Sequence, residues 1–252
     1  MTRLHNRETL AVVLLGLALA LLIGWLADLG RVTLMLVAGW LVASLPVAMK
    51  VQLAILPLYL RLGFNQRALD LAVDIRDSAP NRKGRDLASL DVAMVQAAMG
   101  RFKDALKSLD SIKAESFRDL VQALVLANRA WCRAHLGQKL ERALEEAKKA
   151  NALAPEEGLL PYFEGLALHK MGRNFEARTA IESSLKQDGD PALPCPGERA
   201  LILGDTLQAL GEEVAALRSW REASLQSKGK GPFARVIEER ISSSKDMNKD
   251  TG

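Results

Sequence analysis

The chain has 252 residues, with 34 Lys and Arg against 30 Asp and Glu, a formal charge of +4. No Lys/Arg block forms a phosphate-tracking stripe, which argues against nucleic-acid binding. Two cysteines, Cys132 and Cys195, are too few for a disulfide framework or a zinc site of their own.

Charge is unevenly placed. Residues 1–60 hold four basic and two acidic residues, which leaves 30 and 28 for residues 61–252. Residues 10–27 and 32–49 are two uncharged, apolar stretches. Each would be about 27 Å long as a helix, close to the thickness of a bilayer core. Only Asp28, Leu29, Gly30 and Arg31 separate them. The prediction is a two-helix transmembrane hairpin over 10–49 with the lipid bilayer as a partner. Gly16, Ala20 and Gly24 on one helix and Gly39 and Ala43 on the other are spaced for close helix contact. A cleaved signal peptide in the first stretch and a hairpin buried in a soluble core are the alternatives. Arg3 and Arg7 precede the first stretch, and Lys50, Arg61 and Arg67 follow the second. By the positive-inside rule both termini are cytoplasmic. Residues 1–9 are then a cytoplasmic tail, and the expected location is a bacterial inner membrane with the rest of the chain in the cytoplasm.

Beyond residue 50 the apolar residues recur at three- and four-residue spacing, the helical period. Gly63, Gly100, Gly137, Gly172 and Gly211 punctuate this pattern at intervals of 37, 37, 35 and 39 residues. An alanine follows each at five residues, or six in the third case: Ala68, Ala105, Ala143, Ala177 and Ala216. Seven positions before four of the glycines stands another small residue: Ala93, Ala130, Gly165 and Gly204. Glycine closes one helix by adopting the left-handed conformation, and small residues let the next helix return close beside it. The pattern predicts about five helix hairpins over 50–225.

At these residues the chain resembles the tetratricopeptide repeat family, best in Ala130, Gly137, Ala143, Ala150 and Pro155. The unit around Gly63 adds Tyr59, Ala68 and Pro80. Those around Gly172 and Gly211 add Phe175 and Trp220. The unit around Gly100 lacks the terminal proline. The expected fold is all-α: two N-terminal transmembrane helices, an α-solenoid of about five helix pairs and a C-terminal capping helix. Residues 51–62 would open the first pair, either at the membrane interface or within the repeat core. Residues 226–241 read as a linker and cap, and 242–252 as a disordered tail.

The sequence has no nucleophile elbow, P-loop, zinc-protease or C-x-x-C motif. No catalytic residue, metal, cofactor or small-molecule substrate is therefore expected. Cys132 and Cys195 read as inert thiols, the second in a Pro-flanked loop. His135 and His169, at matching places in adjacent units, read as polar groove residues. In the family the first helix of each pair lines a concave groove. By register the resemblance places Met94, Trp131, His135, Tyr162, Leu166, His169, Asp205 and Gln208 in that groove, with ordinary packing between repeats as the alternative for Trp131 and Tyr162. The implied function is a membrane-tethered adaptor that binds protein partners, without chemistry, and supports assembly of a membrane-associated complex. A translocated repeat factor for envelope, secretion or pilus assembly is the alternative, followed by an enzyme or an obligate enzyme subunit.

Overall fold

A computed structural model describes residues 56, 59, 60, 62–187 and 195–247. Among the described residues there are ten α-helices, one 3-10 turn and no strand. The chain divides into two compact units, residues 1–71 and 72–252.

In the first unit, Tyr59 and Phe64 meet edge to face with centroids 6.3 Å apart. They flank Gly63, and the N–H of Phe64 returns to the carbonyl of Tyr59. Helix α1 (Asn65–Ser78) begins here, and Ala68 and Leu71 on it are buried. The predicted spans at 10–27 and 32–49 lie outside the described residues. Among those described, no helix is long and apolar enough to cross a membrane. The expected location as an integral membrane protein is corrected accordingly.

The second unit is a run of helix hairpins. Its helices are α2 (Arg82–Ala98), α3 (Phe102–Asp110), α4 (Asp119–Leu136), α5 (Leu140–Leu153), α6 (Leu160–Lys170), α7 (Asn174–Gln187), α8 (Glu198–Ala209), α9 (Glu213–Ser227) and α10 (Ala234–Met247). Helices α2/α3, α4/α5, α6/α7 and α8/α9 pair as antiparallel neighbours, and each second helix also packs on the next first helix.

The hairpins close as the residue pattern predicts. All five punctuating glycines have positive φ, between 62° and 81°. After each, the next N–H reaches back five residues to a helix carbonyl, as from Arg101 to Gln96 at 2.9 Å and from Glu212 to Leu207 at 2.9 Å. This is the hydrogen-bond pattern that satisfies the last carbonyls of a helix. The extra residue after Gly137 is absorbed by Lys139, which itself adopts φ 50°. The alanines at 68, 105, 143, 177 and 216 are fully buried, as is Ala130. Gly165 and Gly204 are pressed so closely that a Cβ would meet Ile181 Cγ1 at 2.6 Å and Trp220 Cδ1 at 2.5 Å, respectively.

The unit without a terminal proline departs from its neighbours. Helix α3 is short and runs into the 3-10 turn Ala114–Ser116. A buried arginine replaces the missing closure: Arg129 Nη2 donates to the carbonyls of Leu109 at 2.8 Å and Ile112 at 2.7 Å. Helix α10 caps the array. Its Ile237 lies in a core with Leu201, Leu207, Trp220 and Ala223, and Arg240 pairs with Asp205 at 2.9 Å. It continues to Met247, six residues into the segment expected as a tail.

Candidate functional site

Trp131 and His135 sit one turn apart on the same face of α4, and Tyr162 lies in the first turn of α6. The predicted groove gathers these three, but not as an open lining. They converge on Glu198, the first residue of α8, which is 0% exposed. Glu198 Oε1 accepts from Trp131 Nε1 at 2.6 Å and from the Tyr162 hydroxyl at 2.5 Å. His135 Nε2 lies 2.7 Å from the same oxygen. A fully buried carboxylate is costly unless it is hydrogen-bonded, and here one oxygen collects three partners. The start of α8 adds the favourable end of a helix dipole.

The turn before Glu198 is tightly held. Gly197 has φ 83°, and a Cβ there would run into the carbonyl oxygen of Ala223 on α9. Cys195 is buried, its thiol 3.8 Å from the carbonyl of Ala97 on α2. Burial first, then the Glu198 charge, pushes this thiol well above its ordinary range. Burial pushes Cys132 up to about 12. The Tyr162 phenol is likewise held well above its usual value by burial and by Glu198, so it stays protonated and donates. Both cysteines are thus buried thiols.

Aromatic rings enclose the cluster. Phe102 stacks on His135 with centroids 4.3 Å apart and meets Trp131 edge to face at 5.4 Å. Phe233, just before α10, lies 5.1 Å from His135. Residues from four hairpins and from the capping segment therefore fill the space in front of α4.

The other predicted groove residues lie apart from this cluster. Leu166 is buried, and Met94 is half-buried against the same core. His169 Nδ1 faces the Thr206 hydroxyl at 3.0 Å, and burial lowers its pKa. Asp205 accepts from Trp220 Nε1 at 3.0 Å and pairs with Arg240. Gln208 is exposed. Trp131, Tyr162 and Leu166 have no exposed surface, and the first two donate to Glu198.

Sequence reasoning missed Glu198, Phe102 and Phe233. An acid opening a helix reads as an ordinary dipole-compatible residue, and nothing near Glu198 in sequence marks it as buried. Sequence reasoning also missed an ionic cluster behind α4: Arg133 pairs with Glu146 and with Asp110, the latter at 2.9 Å. Among the described residues no group of three His, Cys, Asp or Glu side chains could hold a metal ion.

The chain matches no protein-family model and no curated protein. It is similar to solved structures. A thermophilic tetratricopeptide repeat protein of Thermus thermophilus is 20% identical over 78% of this chain and 98% of its own, with a TM-score of 0.58. A putative kinesin light chain of Podospora anserina with nearly identical TPR-like repeats is 18% identical over 73% and 98%, with a TM-score of 0.49. A tetratricopeptide repeat protein of Parabacteroides merdae is 15% identical over 80% and 73%, with a TM-score of 0.46. The likeness to the Thermus protein establishes the tetratricopeptide-type fold of stacked helix hairpins.

Proposed function

We propose that the chain is a protein-binding scaffold that supports assembly of a multi-component complex by recognition alone, without chemistry. The observation that carries this reading is the array itself, successive hairpins of one design stacked in register. Such stacks are quasi-one-dimensional and build extended surfaces for recognising other chains.

The contact surface is assigned to the later hairpins. Gln208 and the accessible edges of His169 and Asp205 remain from the predicted groove. Phe175 and Val214 stand at matching places in consecutive hairpins, in the first turns of α7 and α9, and are 77% and 69% exposed. The pair Arg178–Glu212, at 2.6 Å, joins these hairpins. Large apolar side chains this exposed lose water favourably on contact, and anchors of this kind dominate interface energies.

The test is crosslinking and capture with the full chain as bait, against a Phe175→Ser/Val214→Ser variant and a Gln208→Arg variant. A defined partner should be captured by the parent and depleted at least several-fold with one of the two. If every captured protein is retained equally by both variants, this surface is not the contact.

A further inference from the structure

The inner face of α4 and α6 is occupied by the chain itself, and the occupant reveals what that face accepts. Trp131 Nε1 can only donate, and the Tyr162 hydroxyl is held protonated by its buried surroundings. Both point at one oxygen, together with His135 Nε2. These three groups come from two adjacent first helices, so the hairpin stack alone positions them. The carboxylate they hold comes from elsewhere, on the Cys195–Glu198 turn. Its remaining polar neighbour is the buried Cys195 thiol, whose pKa is raised first by burial and then by the Glu198 carboxylate, through its charge and a side-chain hydrogen bond. Phe233 closes the same face from the other side, against His135 and Phe102.

We propose that Trp131, His135 and Tyr162 form a carboxylate-accepting site, that Glu198 is an internal latch filling it, and that an acidic side chain of a protein partner takes its place. This rests on the scaffold reading for the class of partner. Displacement of Glu198 frees the turn at Gly197, uncovers the thiol of Cys195 and opens the aromatic wall at Phe102 and Phe233 to the incoming segment. The array then has a closed state when alone and an open state with an acidic partner. A ligand can shift such an equilibrium only by as much as it prefers the open state, which sets the requirement that the partner present a carboxylate.

The test uses the full chain and its Glu198→Ala variant. Three readouts are taken: native-state labelling of Cys195 by a thiol reagent, thermal midpoint, and binding of two peptide amides. The peptides are acetyl-Pro-Gly-Glu-Arg-amide, which copies the native turn, and its Gln counterpart. The variant should label at least tenfold faster than the parent. Sodium acetate should slow this labelling and raise the midpoint, whereas acetamide should do neither. The Glu peptide should bind the variant at least tenfold more tightly than it binds the parent, and at least tenfold more tightly than the Gln peptide does. Equal effects of acetate and acetamide, or equal affinity of both peptides, overturn the proposal. Rescue by acetate without binding of the Glu peptide limits the site to small carboxylates and overturns the partner assignment. If Glu198→Ala does not fold, Glu198→Gln keeps the shape without the charge and must show the same preference for the Glu peptide over the Gln one. Failure here leaves partner capture through Phe175, Val214 and Gln208 intact, so the two readings stand or fall separately.

Discussion

Adding one methyl group at Gly165 or Gly204 should destabilise the protein, although alanine is the better helix former at both. Each lies inside a first helix, where Gly→Ala normally gains about 1 kcal/mol from helix propensity. At Gly165 the new Cβ would stand 2.6 Å from Ile181 Cγ1, 3.0 Å from the Ala177 carbonyl oxygen and 3.1 Å from the Ile181 nitrogen. At Gly204 it would stand 2.5 Å from two atoms of the Trp220 ring and 3.1 Å from the Ala216 carbonyl oxygen. Two of the obstacles are backbone atoms of α7 and one is a backbone atom of α9, so rotamer changes do not relieve them; the helices must part. Overpacking of this kind costs roughly 1–3 kcal/mol, on the scale of full van der Waals clashes in a close-packed interior. Because that cost stands beside the propensity gain, a net loss of up to about 2 kcal/mol is expected for each. Gly84→Ala is the control. It sits in the first turn of α2, where a Cβ meets Asn81 Oδ1 at 3.4 Å and Ala79 Cβ at 3.6 Å, ordinary contacts. It should stabilise by up to about 1 kcal/mol. Urea unfolding followed by circular dichroism compares the three. If Gly165→Ala shifts the midpoint in the same direction as Gly84→Ala, the close approach of paired helices does not set the spacing of the array.

Burial raises Asp91 to a pKa of about 6 from 3.8. A carboxyl raised in the folded state binds its proton more tightly there, so its contribution favours folding below pH 4 and is lost as pH rises from 4 to 6. Asp91→Asn should therefore stabilise at pH 7.5 by up to about 3 kcal/mol, with the gain vanishing near pH 4, as read from denaturation midpoints across that range. Trp131→Phe keeps the ring but removes a donor from Glu198, and Tyr162→Phe removes another. Each should cost about 1–3 kcal/mol, and the double variant should depart from additivity because the two act on one oxygen. Arg133→Met leaves Glu146, whose side chain is 10% exposed, with only its contact to Arg142. A loss of about 3–5 kcal/mol is expected, largely recovered by pairing it with Glu146→Leu. In the unmodified chain without a partner, Cys132 and Cys195 should both resist thiol reagents under native conditions, and rapid labelling of either would contradict their burial.

The hairpins were legible because their signal is local and repeated. Gly100 and Ala105, or Gly211 and Ala216, act within five residues of each other, and the same requirement recurs every 35–39 residues. Even the small residues at 165 and 204 follow from the register, since they face the alanines of their own hairpin. The inner face was illegible for the opposite reason. The contacts Trp131–Glu198, Tyr162–Glu198 and His135–Phe233 join residues 36 to 98 positions apart and occur once each, so no period exposes them. Register groups Trp131, His135 and Tyr162, as their shared contact with Glu198 does, but it cannot say whether their face meets solvent or a later part of the chain. What decides that is how far each hairpin turns relative to the last, a quantity fixed by the fit of side chains between hairpins and invisible in the spacing within them. The buried carboxylate of Glu198 shows that the α8/α9 hairpin reaches the α4/α5 hairpin. If Glu198 is the latch proposed above, recognition by this face depends on an interaction between distant hairpins. Substitutions that loosen the junctions, rather than those that alter exposed residues, should change what the inner face can bind.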